Sequence, residues 1–330
     1  FRREAEAKIG RQGITTIFVD EVQRLPELLN EVHLLIERHG CRFILSGSSA
    51  RKLRRGGVNL LAGRAVERRL FPFVHAEIAD TFDLESTLRF GTLPAVHGRP
   101  DAEKADILGA YANTYLREEI QQEGLVRNLG GFSRFLDVAA AQCGELVNFS
   151  AFGRDAGLST RTVQSYYDIL EDTLVGYRLE PFTGSARRRL VAHQKFYLFD
   201  TGVTNAVNRR LAEPPDPALR SRLFEQLMVL ETMRMHSYVR SEARLFFWRT
   251  STGAEVDLVV ERRGHPSAAF EIKVKKRIVG ADLTGLRAFH DEHPRVPRAV
   301  VCDAPEPLEL EGVRILPWEA FLRELPTILG

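Results

Sequence analysis

Residues 253–276, GAEVDLVVERRGHPSAAFEIKVKK, decide the fold of the C-terminal third of the chain. Two short apolar runs, at residues 256–260 and 268–274, flank the turn-rich connection RRGHP at residues 262–266. Apolar runs on either side of a turn that contains Gly and Pro are typical of a β-hairpin. The stretch therefore predicts two antiparallel strands joined by this connection.

Three charged residues lie inside these two strands: Asp257 in the first, and Glu271 and Lys273 in the second. Glu271 and Lys273 are two positions apart, so on one strand they point to the same face of the sheet. Burying carboxylates and an ammonium group together is costly unless the charges pair with one another or hold a metal ion. The hairpin therefore predicts a charged site, for which a divalent cation is the natural partner.

The bulk properties leave room for several domains. The chain has 330 residues, enough for two or three domains with separate cores. Its net charge of +2 excludes a strongly basic surface over the whole molecule but allows local basic patches. The cysteines Cys41, Cys143 and Cys302 form no zinc-binding pattern, which predicts buried thiols in a reducing cytoplasm. No apolar run has the length of a membrane span, and the chain begins with Phe1 as though upstream sequence were missing.

The N-terminal segment predicts a strand, a helix and a second strand in succession. The strands are ITTIFV at residues 14–19 and CRFIL at residues 41–45, and residues 25–38 between them have helical spacing of apolar side chains. Strands joined by one helix are parallel and adjacent. Polar residues follow both strands, Asp20-Glu21 the first and Ser46-Gly47-Ser48 the second. They are expected at the carboxyl ends of the strands, where open α/β sheets bind ligands.

The middle of the chain predicts two core helices, at residues 105–125 and 132–143, and then a helix-turn-helix. The latter consists of a helix at residues 149–156 with Ser150 as a candidate N-cap, a turn, and a second helix at residues 160–172. The residues predicted to contact nucleic acid are Arg161 and Gln164 on the second helix and Arg187, Arg188 and Arg189 in a basic wing. The alternative is a winged helix that serves as an interdomain or protein contact, since acidic residues on the second helix partly cancel its basic face.

The C-terminal part begins after a proline-rich linker at residues 212–217. A long helix at residues 220–237 carries Glu225 and Glu231, and a strand at residues 245–249 leads into the hairpin. The remaining predicted elements are a helix at residues 282–290, a strand at 298–302 and a closing helix at 318–325. A helix, an antiparallel hairpin, a helix and a strand in this order predict an α/β core of the restriction-endonuclease type.

Nine segments support a resemblance that spans nearly the whole chain: IFVDEVQ, FILSGSS, LLAGR, YLREEI, VNFSAFGRDAGLSTRTVQSYYDILEDTLVGYRL, KFYLFDTGV, LFEQLMVLE, FFWRTSTGAEVDLVV and FEIKVKK. In this order they resemble a bacterial and archaeal family of AAA-type ATP-binding proteins that carry a C-terminal domain of unassigned function.

This resemblance implies a nucleotide site. Asp20 would end a Walker B strand and hold the water shell of Mg²⁺, and Glu21 would polarise the attacking water. Ser46 would serve as sensor 1, and Arg64 as an arginine finger or sensor. The phosphate-binding pattern GxxxxGK[ST] does not occur in the chain, so we expect weak ATP binding or none unless upstream sequence supplies that loop. The alternative is a solvated acidic loop after a core strand.

The C-terminal part is in turn similar to the PD-(D/E)xK nuclease fold. The resemblance makes Asp257 the first acid of the motif, Glu271 the second, Lys273 the lysine and Glu225 the acid of the first helix, while Val256 replaces the proline. It implies that Glu225, Asp257 and Glu271 bind Mg²⁺ or Mn²⁺, and that Lys273 orients the water or neutralises developing charge. The alternative is a fold remnant, an ion-paired cluster without cleavage activity.

Together these patterns predict an α/β protein in three parts. They are a partial AAA-type P-loop lobe at residues 1–80 without Walker A, a helical and winged-helix domain at residues 81–211, and a restriction-endonuclease-like domain at residues 212–330. The preferred hypothesis is a cytoplasmic protein outside the membrane that hydrolyses nucleic acid under nucleotide control and could assemble into homo-oligomers through its ATPase lobe. The alternatives are a non-catalytic nucleic-acid or protein-binding module and a plain ATPase whose phosphate-binding loop lies upstream.

Overall fold

The computed structural model describes residues 1–47, 64–116, 126, 128–184 and 193–330. The chain forms two compact units. The first unit comprises residues 1–68 and 167–175, and the second comprises residues 69–166 and 176–330. Both contain helices and strands, and the larger holds a mixed sheet, so the predicted α/β class is confirmed at that level.

The first unit contains the predicted strand, helix and strand. Its elements are α1 (Arg2–Gln12), β1 (Thr16–Val19), a 3₁₀ turn (Val22–Arg24), α2 (Leu28–His39) and β2 (Arg42–Leu45). β1 and β2 pair in parallel along their whole length, as expected for strands joined by one helix. The apolar side of α2 packs with the strands through Leu29 and Val32, both fully or nearly fully buried. This unit therefore places the ends of both strands side by side.

The second unit begins with helices. They are α3 (His75–Ile78), α4 (Leu84–Phe90), α5 (Asp101–Ala110), α6 (Leu129–Ala141), α7 (Phe149–Ala156) and α8 (Thr160–Asp172), of which the last residues are grouped with the first unit. α5 ends earlier than predicted, because the backbone changes to a π-helical turn at Tyr111–Tyr115. Residues 117–125 of the predicted helix lie outside the described residues.

The predicted helix-turn-helix elements are present as α7 and α8. The N-cap of α7 is Asn148, not Ser150, because the Asn148 side-chain oxygen accepts hydrogen bonds from the backbone N–H groups of Ser150 and Ala151. Gly157 ends α7 in the left-handed region at φ 64°. The Ser159 hydroxyl then accepts the backbone N–H of Thr162 at 3.1 Å, which starts α8.

Eight strands of the second unit form one mixed sheet. They are β3 (Gly176–Pro181), β4 (Lys195–Leu198), β5 (Arg244–Arg249), β6 (Glu255–Arg262), β7 (His265–Lys273), β8 (Arg298–Cys302), β9 (Leu308–Leu310) and β10 (Val313–Pro317), in the order β4-β3-β5-β6-β7-β8-β10-β9. β3 and β4 come from the region that the sequence assigns to the winged-helix domain, yet they pair in the same sheet as the hairpin. This arrangement brings β4 into the sheet that carries Asp257 and Glu271.

The predicted hairpin is confirmed as β6 and β7. Its turn has two residues, Arg263 at φ 51° and Gly264 at φ 80°, which is shorter than the five-residue connection predicted. Positive φ at both turn residues is typical of the tight turns that match the twist of antiparallel strands. Pro266 consequently lies inside β7, beside a shift in register between Val260 and Glu261.

Helices on the sheet complete the second unit. They are α9 (Thr201–Val207), α10 (Pro217–Tyr238), α11 (Thr284–His290) and α12 (Trp318–Leu329). α10 starts at an N-cap, Asp216, whose carboxylate accepts the backbone N–H of Leu219 at 2.8 Å. No helix within the described ranges combines the length and apolar content needed to cross a bilayer. The three cysteines are free and buried, as predicted.

A buried arginine on α10, Arg234, ties together distant segments of the second unit. Its Nη1 donates to the Phe73 carbonyl and the Thr92 hydroxyl, each at 3.1 Å, and its Nη2 donates to the Phe199 carbonyl at 2.8 Å. Nη1 also lies 3.7 Å from Glu231 Oε1, one helical turn away. Arg234 and Glu231 are each only about one percent exposed, so the pair is shielded from solvent.

The raised pKa of Glu231 should make the free energy of unfolding depend on pH. Burial raises the pKa of Glu231 to about 7 from an ordinary 4.5, in spite of the nearby Arg234. The folded chain thus holds this proton more tightly than the unfolded chain does, and the stability it contributes is full below about pH 4.5 and is lost as the pH rises through about 7. Glu231→Gln removes the titration. The unfolding free energy of this variant relative to wild type should therefore rise by about 2–3 kcal/mol between pH 4.5 and 8.

Urea unfolding of both proteins across this pH range measures the effect. Glu324→Gln is the matched control, since Glu324 pairs with Arg314 at 3.0 Å on the exposed surface. Its difference from wild type should stay constant within about 0.5 kcal/mol. A Glu231→Gln difference that is equally flat would show that Glu231 has the same pKa in the folded and the unfolded chain, and that burial does not raise it.

Candidate functional site

Six charged side chains meet beside the hairpin, and we call them the charged cluster. They are Lys195 on β4, Glu225 on α10, Glu255 and Asp257 on β6, and Glu271 and Lys273 on β7. Asp257, Glu271 and Lys195 are buried, whereas the Lys273 side chain is 31% exposed. The structure thus brings together all four residues of the predicted C-terminal site, with Lys195 and Glu255 in addition.

One side of the cluster is organised by Lys273. Its Nζ lies 2.6 Å from Glu271 Oε1 and 3.9 Å from Asp257 Oδ2. The sequence prediction that Glu271 and Lys273 share a face of β7 is confirmed by this contact. The Ile272 backbone N–H donates to Asp257 Oδ2 at 2.7 Å and fixes the orientation of that carboxylate across the hairpin.

The other side is organised by Lys195, which the sequence analysis missed. Its Nζ lies 2.8 Å from Glu225 Oε1, 2.6 Å from Glu255 Oε1 and 3.9 Å from Asp257 Oδ1. The Tyr197 hydroxyl also donates to Glu225 Oε1, at 2.8 Å. Two signals could have indicated these partners: a lysine that opens the aromatic run KFYLF, and a second acid two positions before Asp257 on the same strand face.

The carboxylates of the cluster carry unbalanced negative charge. Burial, and then the charge of Glu225, raise the pKa of Asp257 to about 6. Burial and the charge of Asp257 raise the pKa of Glu271 well above its ordinary 4.5. Lys195 and Lys273 oppose the shift of the Asp257 pKa, and Lys273 opposes that of the Glu271 pKa, without cancelling either. The cluster therefore has more buried carboxylate than its ammonium groups neutralise.

The shifts of the lysine pKa values favour the charged form of these side chains. Burial alone would lower the pKa of Lys195, but Glu225 and its other neighbours raise it well above 10.5. The same balance raises the pKa of Lys273, through Asp257 and Glu271. Burial would raise the pKa of Glu225, yet the Lys195 contact lowers it. Glu225 is thus an ionised partner of Lys195, and both lysines are protonated.

Within the cluster, Asp257 and Glu271 are the carboxylates that could hold a hard divalent cation. Glu271 Oε2 is buried and has no hydrogen-bond partner in the described part of the chain. Gly285 of α11 lies beside it, so that a Cβ at position 285 would come within 3.2 Å of this oxygen. Carboxylate oxygens are the ligands that Mg²⁺ and Mn²⁺ prefer. Among the described residues no group of three His, Cys, Asp or Glu residues is arranged to hold a metal ion, and Lys195 and Lys273 each contact a carboxylate of the cluster.

The predicted nucleotide residues lie in the first unit. The Ser46 hydroxyl donates to Asp20 Oδ1, and the Ser46 backbone N–H donates to the Val19 carbonyl at 2.9 Å, so the two strand ends meet as expected. Glu21 adopts a left-handed backbone at φ 52° and lies 3.4 Å from Arg24.

The other predicted binding residues are only partly described. Arg64 Nε binds Glu37 Oε1 on α2 at 2.7 Å, which engages its side chain away from the strand ends. Arg161 and Gln164 of α8 are exposed, as predicted. Ser48 and residues 187–189, with the basic wing arginines Arg187, Arg188 and Arg189, lie outside the described residues.

Three family descriptions match successive parts of the chain. Residues 2–79 match an AAA domain family. Residues 81–213 match a domain of unknown function (DUF8612), and residues 220–321 match another domain of unknown function (DUF4143). No solved structure matches the chain.

Three bacterial proteins with similar sequences are described as uncharacterized proteins. Two come from Mycobacterium bovis and Mycobacterium tuberculosis, each 29% identical over 273 residues, which cover 80% of this chain and 59% of the relative. A third, from Haemophilus influenzae, is 23% identical over 235 residues, or 66% of this chain and 57% of the relative. The matched region thus spans about three fifths of the length of these relatives. The chain combines a segment similar to AAA domains with two segments similar to domains of unknown function.

Proposed function

We propose that the chain acts on nucleic acid and hydrolyses phosphodiester bonds at Asp257, Glu271 and Lys273 with the help of Mg²⁺ or Mn²⁺. The observation that carries this proposal is the partnerless, buried Glu271 Oε2 beside the Lys273 ammonium. Hydrolytic sites commonly combine acids that hold a cation with a lysine close to the reacting phosphate. The proposed fold of this part is that of the restriction endonucleases.

Each residue of the site has a distinct proposed role. A bound divalent cation would lower the pKa of a water molecule and stabilise negative charge on the phosphate. Asp257 and Glu271 would hold that cation, with Asp257 kept in position by the Ile272 N–H. Lys273 is the most exposed of the three, so its ammonium can orient the water or neutralise charge that develops on the substrate.

Basic residues near the site favour a polyanionic substrate. Lys275, Lys276 and Arg277 follow Lys273 after Val274, and all three are exposed. Exposed lysines and arginines supply most of the affinity of proteins for phosphate backbones. We propose that α7 and α8 form a winged helix that adds phosphate contacts through Arg161, Gln164 and the basic wing at residues 187–189.

The N-terminal segment would place this activity under nucleotide control. The AAA domain match covers Asp20, Glu21, Ser46 and Arg64, for which we propose the Walker B, sensor and arginine roles. The hydrogen bond between Ser46 and Asp20 supports a shared site at the strand ends. We propose ATP binding only where upstream sequence supplies a phosphate-binding loop. We also propose that the protein is cytoplasmic and assembles into homo-oligomers through its AAA-type lobe.

A non-catalytic role is the second candidate, and burial favours it. Asp257 is 4% exposed and Glu271 is 7% exposed, and each has a lysine nearby. Charged side chains so well shielded from solvent could have a purely structural role, in which their ion pairs hold β4, α10 and the hairpin together. In that case the second unit would bind nucleic acid or protein without cutting it.

Cleavage assays separate the two candidates. The wild-type chain is incubated with single- and double-stranded DNA and RNA in Mg²⁺ or Mn²⁺, beside Asp257→Asn and Lys273→Met. Each variant should lower the cleavage rate by about 100-fold or more, since each removes a group that binds the cation or stabilises charge. Lys8→Met is the control and should cut at the wild-type rate, because Lys8 forms an exposed pair with Glu4 at 3.1 Å. Equal rates in wild type and both site variants would establish the non-catalytic role.

A further inference from the structure

Lys195 occupies a position that resembles a cation site. Its ammonium lies among oxygens of three carboxylates, those of Glu225, Glu255 and Asp257, at 2.8, 2.6 and 3.9 Å. Its side chain is 4% exposed, and three carboxylates around one buried point are the usual environment of a divalent metal ion. The Lys195 ammonium thus takes the central position among Glu225, Glu255 and Asp257, where a metal ion would otherwise lie.

The charge balance of the cluster allows one divalent cation beside the two lysine ammonium groups. Four carboxylates face two ammonium groups, which leaves two negative charges to be neutralised. One divalent cation neutralises them, whereas a second would leave two uncompensated positive charges in a buried site. Arg249 lies 2.8 Å from Glu255 Oε2 at a more exposed position and offsets one of these negative charges, which disfavours a second divalent cation further.

The carboxylate oxygen without a partner lies on the other half of the cluster. Lys273 binds Oε1 of Glu271 and leaves Oε2 without a partner among the described residues. Asp257 stands between the two halves, with Oδ1 on the Lys195 side and Oδ2 on the Lys273 side. Gly285 packs against the Glu255 backbone carbonyl close to Glu271 Oε2 and brings no side-chain donor to this oxygen.

We infer that the cluster binds a single divalent cation, at Asp257 and Glu271, because the Lys195 ammonium permanently replaces the second. This inference rests on the metal site in the proposed function and specifies how many ions that site takes. Lys195 is on this view a positioning residue, which holds Glu225 and Glu255 away from the metal and leaves Asp257 and Glu271 as its ligands.

Counting bound Mn²⁺ ions tests the inference. The full chain is titrated with Mn²⁺, and free ion is measured by electron paramagnetic resonance. Wild type should bind one ion in the cluster, and Lys195→Met should bind two, because three carboxylates lose their internal cation. Lys104→Met is the matched control: Lys104 is also largely buried and bonded, to Ser86 at 2.8 Å, yet lies outside the cluster. It should bind one ion.

The outcomes distinguish this inference from the proposed function. Two ions in wild type, or one in a folded Lys195→Met, would overturn the inference and leave the metal site standing. No bound ion in wild type would overturn the metal site itself and the inference with it. If Lys195→Met is unfolded without metal, circular dichroism should show that Mn²⁺ restores the fold, since the ion replaces the ammonium. A failure of Mn²⁺ to restore it would count against the inference.

Discussion

Gly285→Ala should lower the free energy of unfolding by about 3 kcal/mol or more, although it adds a single methyl group. A Cβ at this position would overlap the backbone carbonyl of Glu255 on β6, and would lie 2.8 Å from its carbonyl carbon. A strand backbone cannot turn aside as a flexible side chain can. α11 cannot withdraw either, because Leu286 and Phe289 of the same helix are fully buried in the core beneath it.

Chemical denaturation of wild type and variant measures this effect. Gly109→Ala on α5 is the matched control, since a Cβ there meets nothing within 4 Å. It should raise the unfolding free energy by about 0.5–1 kcal/mol, as alanine is the better helix former. A Gly285→Ala variant within about 1 kcal/mol of wild type would mean that α11 and β6 can separate at little cost.

The hairpin and its same-face charges were predictable because both depend on local spacing. Alternation along β7 places Glu271 and Lys273 on one face whatever the rest of the chain does. The parallel pairing of β1 and β2 was predictable for a similar reason, since a short helical crossover leaves few other arrangements. In both cases the information lies within a few tens of residues.

Lys195 was missed because its partners are supplied by the tertiary fold. It begins a short strand that the sequence assigns to the winged-helix region, and nothing local shows that β4 and β3 join the sheet of the hairpin. Glu255 and Glu225 reach it from a different strand and a helix. Sequence spacing can place a charge inside a strand, but only the order of strands in the sheet decides which opposite charge it meets.

The N-cap of α7 was mispredicted for a more local reason. Asn148 and Ser150 are both favourable cap residues and lie two positions apart. Asn148 takes the role because its side chain accepts the free N–H groups of the second and third helical residues, Ser150 and Ala151. Boundaries of this kind depend on a competition between neighbours that differ little in propensity.

Arg234→Met should be the most damaging single change in α10, with a loss of about 3–5 kcal/mol of unfolding free energy. The substitution keeps an apolar stem but removes the guanidinium that bonds Phe73, Thr92 and Phe199. It leaves those acceptors, and the nearby carboxylate of Glu231, buried without their cation. Arg314→Met is the control: Arg314 pairs with Glu324 on the surface, and its loss should cost less than about 1 kcal/mol.

The double variant Arg234→Met with Glu231→Gln separates charge from packing. If the cost comes mainly from an uncompensated Glu231, the second substitution should restore stability relative to Arg234→Met alone, by about 1–3 kcal/mol at pH 8. At pH 5 the restoration should disappear, because burial raises the pKa of Glu231 and the carboxyl group is then already neutral. No restoration at either pH would assign the loss to the broken hydrogen bonds to the Phe73 and Phe199 carbonyls, since Glu231→Gln does not replace them.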